Sequence, residues 1–237
     1  MKTLPTASVN AIITDPPFHI SVGRADGWDE KRGFGADPWT TDISSLSGCV
    51  NWTMPHAEQA ARILKPGGAL VVMGGNQSLV GWDIAAAKCG FQWMAEIVVL
   101  WNSGKPRNRN FGSLHTRVVW YCRTGLRHTF NTPAISIYSN VLVAKKVPTE
   151  RRHHPSEKPV GITNFLVTLL SNPGDLILDP FCGSGSTLVS ADQAGRTWLG
   201  VDEEEKYCQI STDRAMHSDD EFPDPVYLWV NGKLTPV

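Results

Sequence analysis

No apolar run in the chain approaches the roughly 20 residues needed to cross a bilayer, and Met1-Lys2-Thr3-Leu4-Pro5 lacks the apolar stretch of a secretory signal. A cytoplasmic setting with no membrane partner is therefore expected. Paired cysteines are also missing: Cys49, Cys89, Cys122, Cys182 and Cys208 are odd in number and scattered, with no C-x-x-C. That argues against both a disulfide framework and structural zinc. The seven histidines are dispersed apart from His153-His154, so no metal is expected. Nor does one sign of charge dominate, the net being −1 over 237 residues. What remains is ordinary globular composition, 41% hydrophobic and 19% charged, with enough length for one sizeable core.

The charge is unevenly placed. Between Lys105 and Lys158 stand eleven Lys/Arg against Glu150 and Glu157, so this stretch carries +9 while the rest carries −10. A segment so one-sided is either a solvated basic face or the footprint of a polyanion.

Short apolar runs at 9–14, 69–73, 96–101, 118–122, 176–178 and 197–201 read as buried strands ending in turn residues or carboxylates. Helical spacing recurs at 54–64, 78–89, 161–170, 186–194 and 203–216, with breakers such as Lys65-Pro66-Gly67-Gly68 and Gly90 after it. Alternation of this kind predicts an α/β fold with a doubly wound, mostly parallel sheet. The runs at 96–101 and 118–122 have no helix between them and are expected to form an antiparallel edge hairpin. Residues 19–50 read as a loop, and residues 226–237, with Asn231-Gly232 at the turn, as a terminal hairpin.

Chemistry concentrates in three places. Residues 176–187 run from a buried strand through Asp179-Pro180-Phe181-Cys182-Gly183-Ser184-Gly185 into a helix beginning Ser186-Thr187. Glycines at 183 and 185 permit a sharp bend and close ligand approach, and the N–H groups of a new helix can hold an anion. The lysine of a P-loop is missing, and Leu188 stands where a dinucleotide fingerprint needs glycine. Asp202, at the end of the following strand, lies where a carboxylate could accept both hydroxyls of a ribose. The second place, Asp15-Pro16-Pro17-Phe18, again ends a strand. Two prolines remove N–H donors and leave acceptors, the Asp15 carboxylate and the Pro16 carbonyl, beside an aromatic ring. Such a set suits a flat amino-heterocycle, although taken alone the motif reads more simply as a rigid turn with Asp15 as a helix cap. The third, His154-Pro155-Ser156-Glu157-Lys158-Pro159, reads by itself as a proline-stiffened lead-in to a helix.

Together the three segments resemble the β group of DNA amino-methyltransferases. Asp15-Pro16-Pro17-Phe18 is similar to that family's catalytic D/S-P-P-Y/F/W motif, His154 to Pro159 to its H-P-T/S-Q/E-K-P element, and Asp179 to Thr187 to its cofactor loop. Leu64 to Gly68 and Arg109-Asn110-Phe111-Gly112 are similar to its intermediate segments. The order, catalytic motif first and cofactor loop last, is the circularly permuted one, and the likeness runs from about Leu4 to Asp213.

The resemblance implies a Rossmann-like methyltransferase domain spanning 1–237, with a short basic target-recognition segment at 124–153 and a hairpin tail at 222–237. It implies S-adenosylmethionine as methyl donor, with S-adenosylhomocysteine as product, and transfer to adenine N6 in double-stranded DNA after base flipping. Cytosine N4 is the alternative target, and a non-catalytic DNA-binding scaffold the alternative of another class. Asp15, Pro16, Pro17 and Phe18 would be catalytic. Asp179, Pro180, Phe181, Cys182, Gly183, Ser184, Gly185, Ser186, Thr187, Asp202, Pro155, Ser156 and Lys158 would hold the cofactor. Arg107, Arg109, Lys145, Lys146, Arg151 and Arg152 are the candidate phosphate contacts. Trp28, Phe34 and Trp39 in the 19–50 loop would close over an extruded base. The family often carries a strand and helix upstream of Lys2-Thr3-Leu4-Pro5, so one sheet position is expected to be empty or taken by the C-terminal hairpin. A monomer or homodimer is expected.

Overall fold

A computed structural model describes residues 1–17, 45–101, 114–132, 139–218, 225–230 and 233–236. Its strands are β1 (Val9–Thr14), β2 (Leu64–Gly74), β3 (Phe91–Trp101), β4 (His115–Arg123), β5 (Val141–Ala144), β6 (Leu176–Asp179), β7 (Thr197–Gly200), β8 (Val226–Val230) and β9 (Lys233–Pro236). Its helices are α1 (Leu46–Ile63), α2 (Asn76–Lys88), α3 (Val160–Leu170), α4 (Ser186–Gln193) and α5 (Glu205–Met216). All nine strands join one sheet in the order β7-β6-β1-β2-β4-β3-β5-β8-β9.

Seven strands point the same way and only β4 and β8 are reversed, so four of the eight pairings are parallel and four antiparallel. The fold is α/β with a mixed sheet; its longest parallel run is β7-β6-β1-β2, and β3 and β5 also pair in parallel. β3 and β4 do form the expected antiparallel hairpin, but not at an edge. β4 inserts between β2 and β3, and the sheet continues through β5, a four-residue strand too short to stand out among basic and polar neighbours. The C-terminal hairpin adds to this sheet beside β5, at the end opposite β7.

The two faces of the strands sort the core. Ala11, Ile13, Val71, Met73, Val118 and Ile177 face α3 and α4, meeting Ile162, Leu166, Val167 and Ala191. Ile12, Leu70, Val72, Val119, Tyr121 and Leu178 face α1 and α2, meeting Ala57, Ala60, Ile63, Leu79 and Trp82. Period-two alternation therefore buries both faces, as a helix-covered sheet requires.

Several boundaries differ from the spacing-based expectation. β2 begins at Leu64 and takes in the expected 65–68 breaker, and β3 begins at Phe91, not 96. α1 begins at Leu46, not 54, taking 46–50 from the expected loop, because Ser45 Oγ caps the Gly48 amide at 3.0 Å and the helix then runs through Pro55. Pro55 and Asn51 one turn before it are both exposed, so the carbonyl that loses its amide partner faces water. Among the described residues no helix is long and apolar enough to cross a membrane, and no group of three or more His, Cys, Asp or Glu could hold a metal.

Candidate active site

Adjacent parallel strands β1 and β6 end side by side, which brings the first two chemical segments together at the carboxyl edge of the sheet. Buried Thr14 donates its hydroxyl to Asp179 Oδ1 at 2.7 Å, and the Phe181 amide bonds the same oxygen at 3.1 Å. Asp179 is 3% exposed. Burial pushes its carboxyl up to about 6, against the pull of those hydrogen bonds and one from Thr187.

The glycine loop turns as anticipated, with φ of +48° at Gly183 and +87° at Gly185. A Cβ on Gly185 would lie 2.6 Å from Ser211 Cβ, so α5 presses on the loop where only glycine fits. A Cβ on Gly183 would fill the space in front of the His154 ring, 3.6 Å away. Asp202 stands beside the loop as expected. Its Oδ2 accepts from the Gly183 amide and its Oδ1 from the Glu204 amide, both at 3.0 Å, and each oxygen keeps a further lone pair.

Several hydroxyls of the loop face inward. Ser186 Oγ donates to the Lys158 carbonyl at 2.7 Å, Thr187 bonds Asp179, and Ser184 is 3% exposed. Cys182 is 7% exposed and within 3.7 Å of Ser211 Oγ; burial pushes its thiol up to about 12, which suits a filler and not a nucleophile.

Sequence reasoning missed two groups here. Phe181 lies against an aromatic wall on α1, with ring centroids 5.8 Å from Trp52 and 5.3 Å from His56. His56 Nδ1 meets the Trp52 carbonyl at 2.9 Å, and since a carbonyl only accepts, that nitrogen carries the proton. Burial lowers the His56 pKa, which keeps the ring neutral. The second group is an ion pair between Arg214 of α5 and Glu157, whose side chains are 8% and 3% exposed and 3.2 Å apart. Arg214 also donates to the Ser184 carbonyl at 2.7 Å, while Glu157 Oε2 accepts from the amides of His153 (2.6 Å) and His154 (3.3 Å). The third segment is thus clamped to the glycine loop. His154 is set edge-on against Tyr207 at 4.6 Å, its Nδ1 accepting from the Ser156 amide. Only the family-like Glu157 hinted at this from sequence; a lone arginine on a distant helix carries no local signal.

Asp15 follows β1 directly and faces this clamp. Its Oδ2 is in contact with the Lys158 ammonium. Its Oδ1 is buried and, among the described residues, has no hydrogen-bond partner. Pro16 is buried and Pro17 exposed. Phe18, Trp28, Phe34, Trp39, Arg107, Arg109 and the segment Asn110 to Gly112 lie outside the described residues.

The expected phosphate contacts divide. Lys145 and Lys146 are exposed at the end of β5, on the same carboxyl edge as Asp15, with the Lys146 ammonium 5.7 Å from the centre of the Trp101 ring. Four strand spacings separate β5 from β1, about 19 Å across the sheet. Arg151 is exposed. Arg152 is half-buried and holds the backbone instead, donating to the carbonyls of Val147 at 2.7 Å and Pro155 at 3.3 Å.

The fold and the site define an open α/β protein whose strand ends join a glycine loop, the half-buried Asp202 carboxylate beside it, and the Asp15 carboxylate, whose buried Oδ1 has no partner among the described residues. The N6/N4 methyltransferase family model, described as DNA methylase, matches residues 9–213, and the chain belongs to that family. It is 25% identical to the DNA adenine methyltransferase YhdJ of Escherichia coli (strain K12) over 244 residues, covering 90% of this chain and 78% of the relative. It is 24% identical to the type II methyltransferase M.HpaI of Haemophilus parainfluenzae over 237 residues, covering 90% and 70%. Among solved structures, the fold is similar to the M1.HpyAVI–SAM complex (TM-score 0.66, 23% identity, 90% of each chain). It is also similar to the cytosine-N4-specific PvuII DNA methyltransferase (TM-score 0.69, 20% identity, 90% of this chain and 81% of that one).

Proposed function

We propose that this DNA methyltransferase moves the methyl group of S-adenosylmethionine to the exocyclic N6 of an adenine in double-stranded DNA, in the cytoplasm, after the base has left the stack. The observation that carries the reading is the buried Asp15 Oδ1 at the end of β1, beside the glycine loop and without a hydrogen-bond partner among the described residues. A buried acceptor without a donor is costly, and an amino group entering the crevice supplies that donor. Asp15 in place of serine favours adenine over cytosine on the family resemblance, and one relative is named as an adenine methyltransferase.

The residues present fit the cofactor. Gly183 leaves open the space in front of His154 that a Cβ would fill, and Asp202 has lone pairs for hydroxyls beside it. The first turn of α4 presents N–H groups without intrahelical partners, suited to a carboxylate. When bound, the cofactor supplies a sulfonium-activated methyl group. Asp15 Oδ1 and the Pro16 carbonyl accept the two N–H bonds of the target amine, which directs its lone pair away from the ring. These bonds strengthen as positive charge grows on nitrogen, so they act most in the transition state. Phe18 stacks on the base, and Lys145, Lys146 and Arg151 contact phosphates. No covalent intermediate is needed, consistent with the inert Cys182.

Incubation with methyl-labelled cofactor and assorted DNAs, followed by digestion to nucleosides and chromatography, tests this. Label in N6-methyldeoxyadenosine is expected. Label in N4-methyldeoxycytidine would overturn the choice of base, and no label in any DNA would leave a non-catalytic scaffold.

A further inference from the structure

Lys158 belongs to the segment expected to touch the cofactor, and its ammonium reaches the Asp15 turn. It contacts Asp15 Oδ2, and the two side chains are only 14% and 17% exposed. The backbone behind it is fixed on both sides. Ser186 at the start of α4 donates to the Lys158 carbonyl at 2.7 Å, and buried Pro159 is the N-cap of α3. The ammonium also donates to the Ser156 carbonyl at 3.3 Å, which limits its swing. Charged or titratable groups facing Asp15 are Lys158 and His154 from this turn and Asp179 from the end of β6.

A carboxylate so enclosed has two ways to relieve its burial: take a proton or take a countercharge. A proton would convert one oxygen from acceptor to donor and defeat its use toward an N–H. The countercharge leaves the carboxylate ionised and, by occupying Oδ2, decides which oxygen stays open.

We propose that Lys158 is a positioning residue for Asp15: its ammonium keeps the carboxylate ionised, ties down Oδ2 and leaves Oδ1 as the acceptor offered to the target amine. The proposal rests on the methyl-transfer reading above and adds to it a link from the cofactor loop, through Ser186 and the Lys158 backbone, to the catalytic carboxylate. Burial, the larger effect, leaves the Asp15 pKa raised, with Lys158 pulling it back down. Removing the ammonium therefore moves protonation of Asp15 to still higher pH, by about 1–3 pH units on the usual scale for an opposite charge in contact.

The test compares wild type, K158M and K158R. The acid limb of kcat against pH is measured on DNA, S-adenosylmethionine affinity by calorimetry, and the Asp15 titration by carboxyl NMR of aspartate-labelled protein, assigned by the signal lost in D15N. In K158M the acid limb and the Asp15 midpoint should rise together by about 1–3 pH units, with cofactor affinity changed less than about threefold. K158R should restore both. An unmoved midpoint with cofactor affinity down tenfold or more would overturn the proposal and make Lys158 a cofactor ligand. Should K158M fail to fold, K158Q carries the same expectation. If wild type methylates no DNA, the functional reading fails by itself, and the NMR midpoints still decide the role of Lys158.

Discussion

Replacing Arg214 by methionine probes the clamp that holds the third segment on the glycine loop. Methionine preserves most of the aliphatic volume but removes the guanidinium. Ser184 loses the donor at 2.7 Å, and Glu157, 3% exposed, is left with two backbone amides and the His153 ring, whose Nδ1 lies 3.6 Å from Oε2. A buried charge stripped of its partner costs about 3–5 kcal/mol, which at about 2–4 °C per kcal/mol for a chain of this size lowers Tm by about 6–20 °C. Glu157→Gln removes the pairing while keeping the shape, a loss of about 1.5–3 kcal/mol. Because the double variant no longer buries an orphan carboxylate, its loss should fall short of the sum of the singles by at least about 1 kcal/mol. Urea and thermal unfolding give the stabilities, and calorimetry gives cofactor affinity, which should weaken with Arg214→Met because Ser184 lies in, and His154 beside, the glycine loop proposed to hold the cofactor. Additive single losses, or an Arg214→Met cost below about 1 kcal/mol, would show that the pair does not hold the loop.

Asp179 makes stability pH-dependent: its folded pKa of about 6 lies above the unfolded value of 3.8. The folded state therefore holds the proton more tightly, and stability falls as pH rises through that window, by about 3 kcal/mol in all; Asp179→Asn should flatten the decline, and an unchanged slope would contradict the assignment. Asp15→Asn keeps the shape but loses the charge opposite Lys158; kcat should drop about 100- to 1000-fold while calorimetric cofactor affinity stays within about threefold. Replacing Lys145 and Lys146 together by alanine should make log K for DNA against log salt shallower by about 1.8, at about 0.9 per phosphate contact; an identical slope would remove both from the DNA surface.

The expected edge hairpin shows where pattern reading stops. The apolar alternation of β3 and β4 was visible, and so was their antiparallel pairing, because both are local. That β4 inserts beside β2 was not, since register Val71↔Trp120 joins residues far apart in sequence. β5 escaped notice because four apolar residues next to two lysines give no reliable period. The basic segment likewise read as uniform, whereas in three dimensions Arg152 holds backbone carbonyls and Lys145 and Lys146 face outward.

By itself the sequence determined the α/β class, the strand-ending carboxylates Asp15, Asp179 and Asp202, and the glycine loop. Each of these rests on residue type over a few neighbouring positions: a period of two, a helix stop, a positive φ. Only the tertiary structure decided which oxygen of Asp15 stays open, which cation holds the other, and that Arg214 secures the loop. Those outcomes depend on desolvation and charge pairing between segments as much as 143 residues apart, Asp15 and Lys158 among them. Burial is a property of the assembled sheet and helices, and no local pattern encodes it.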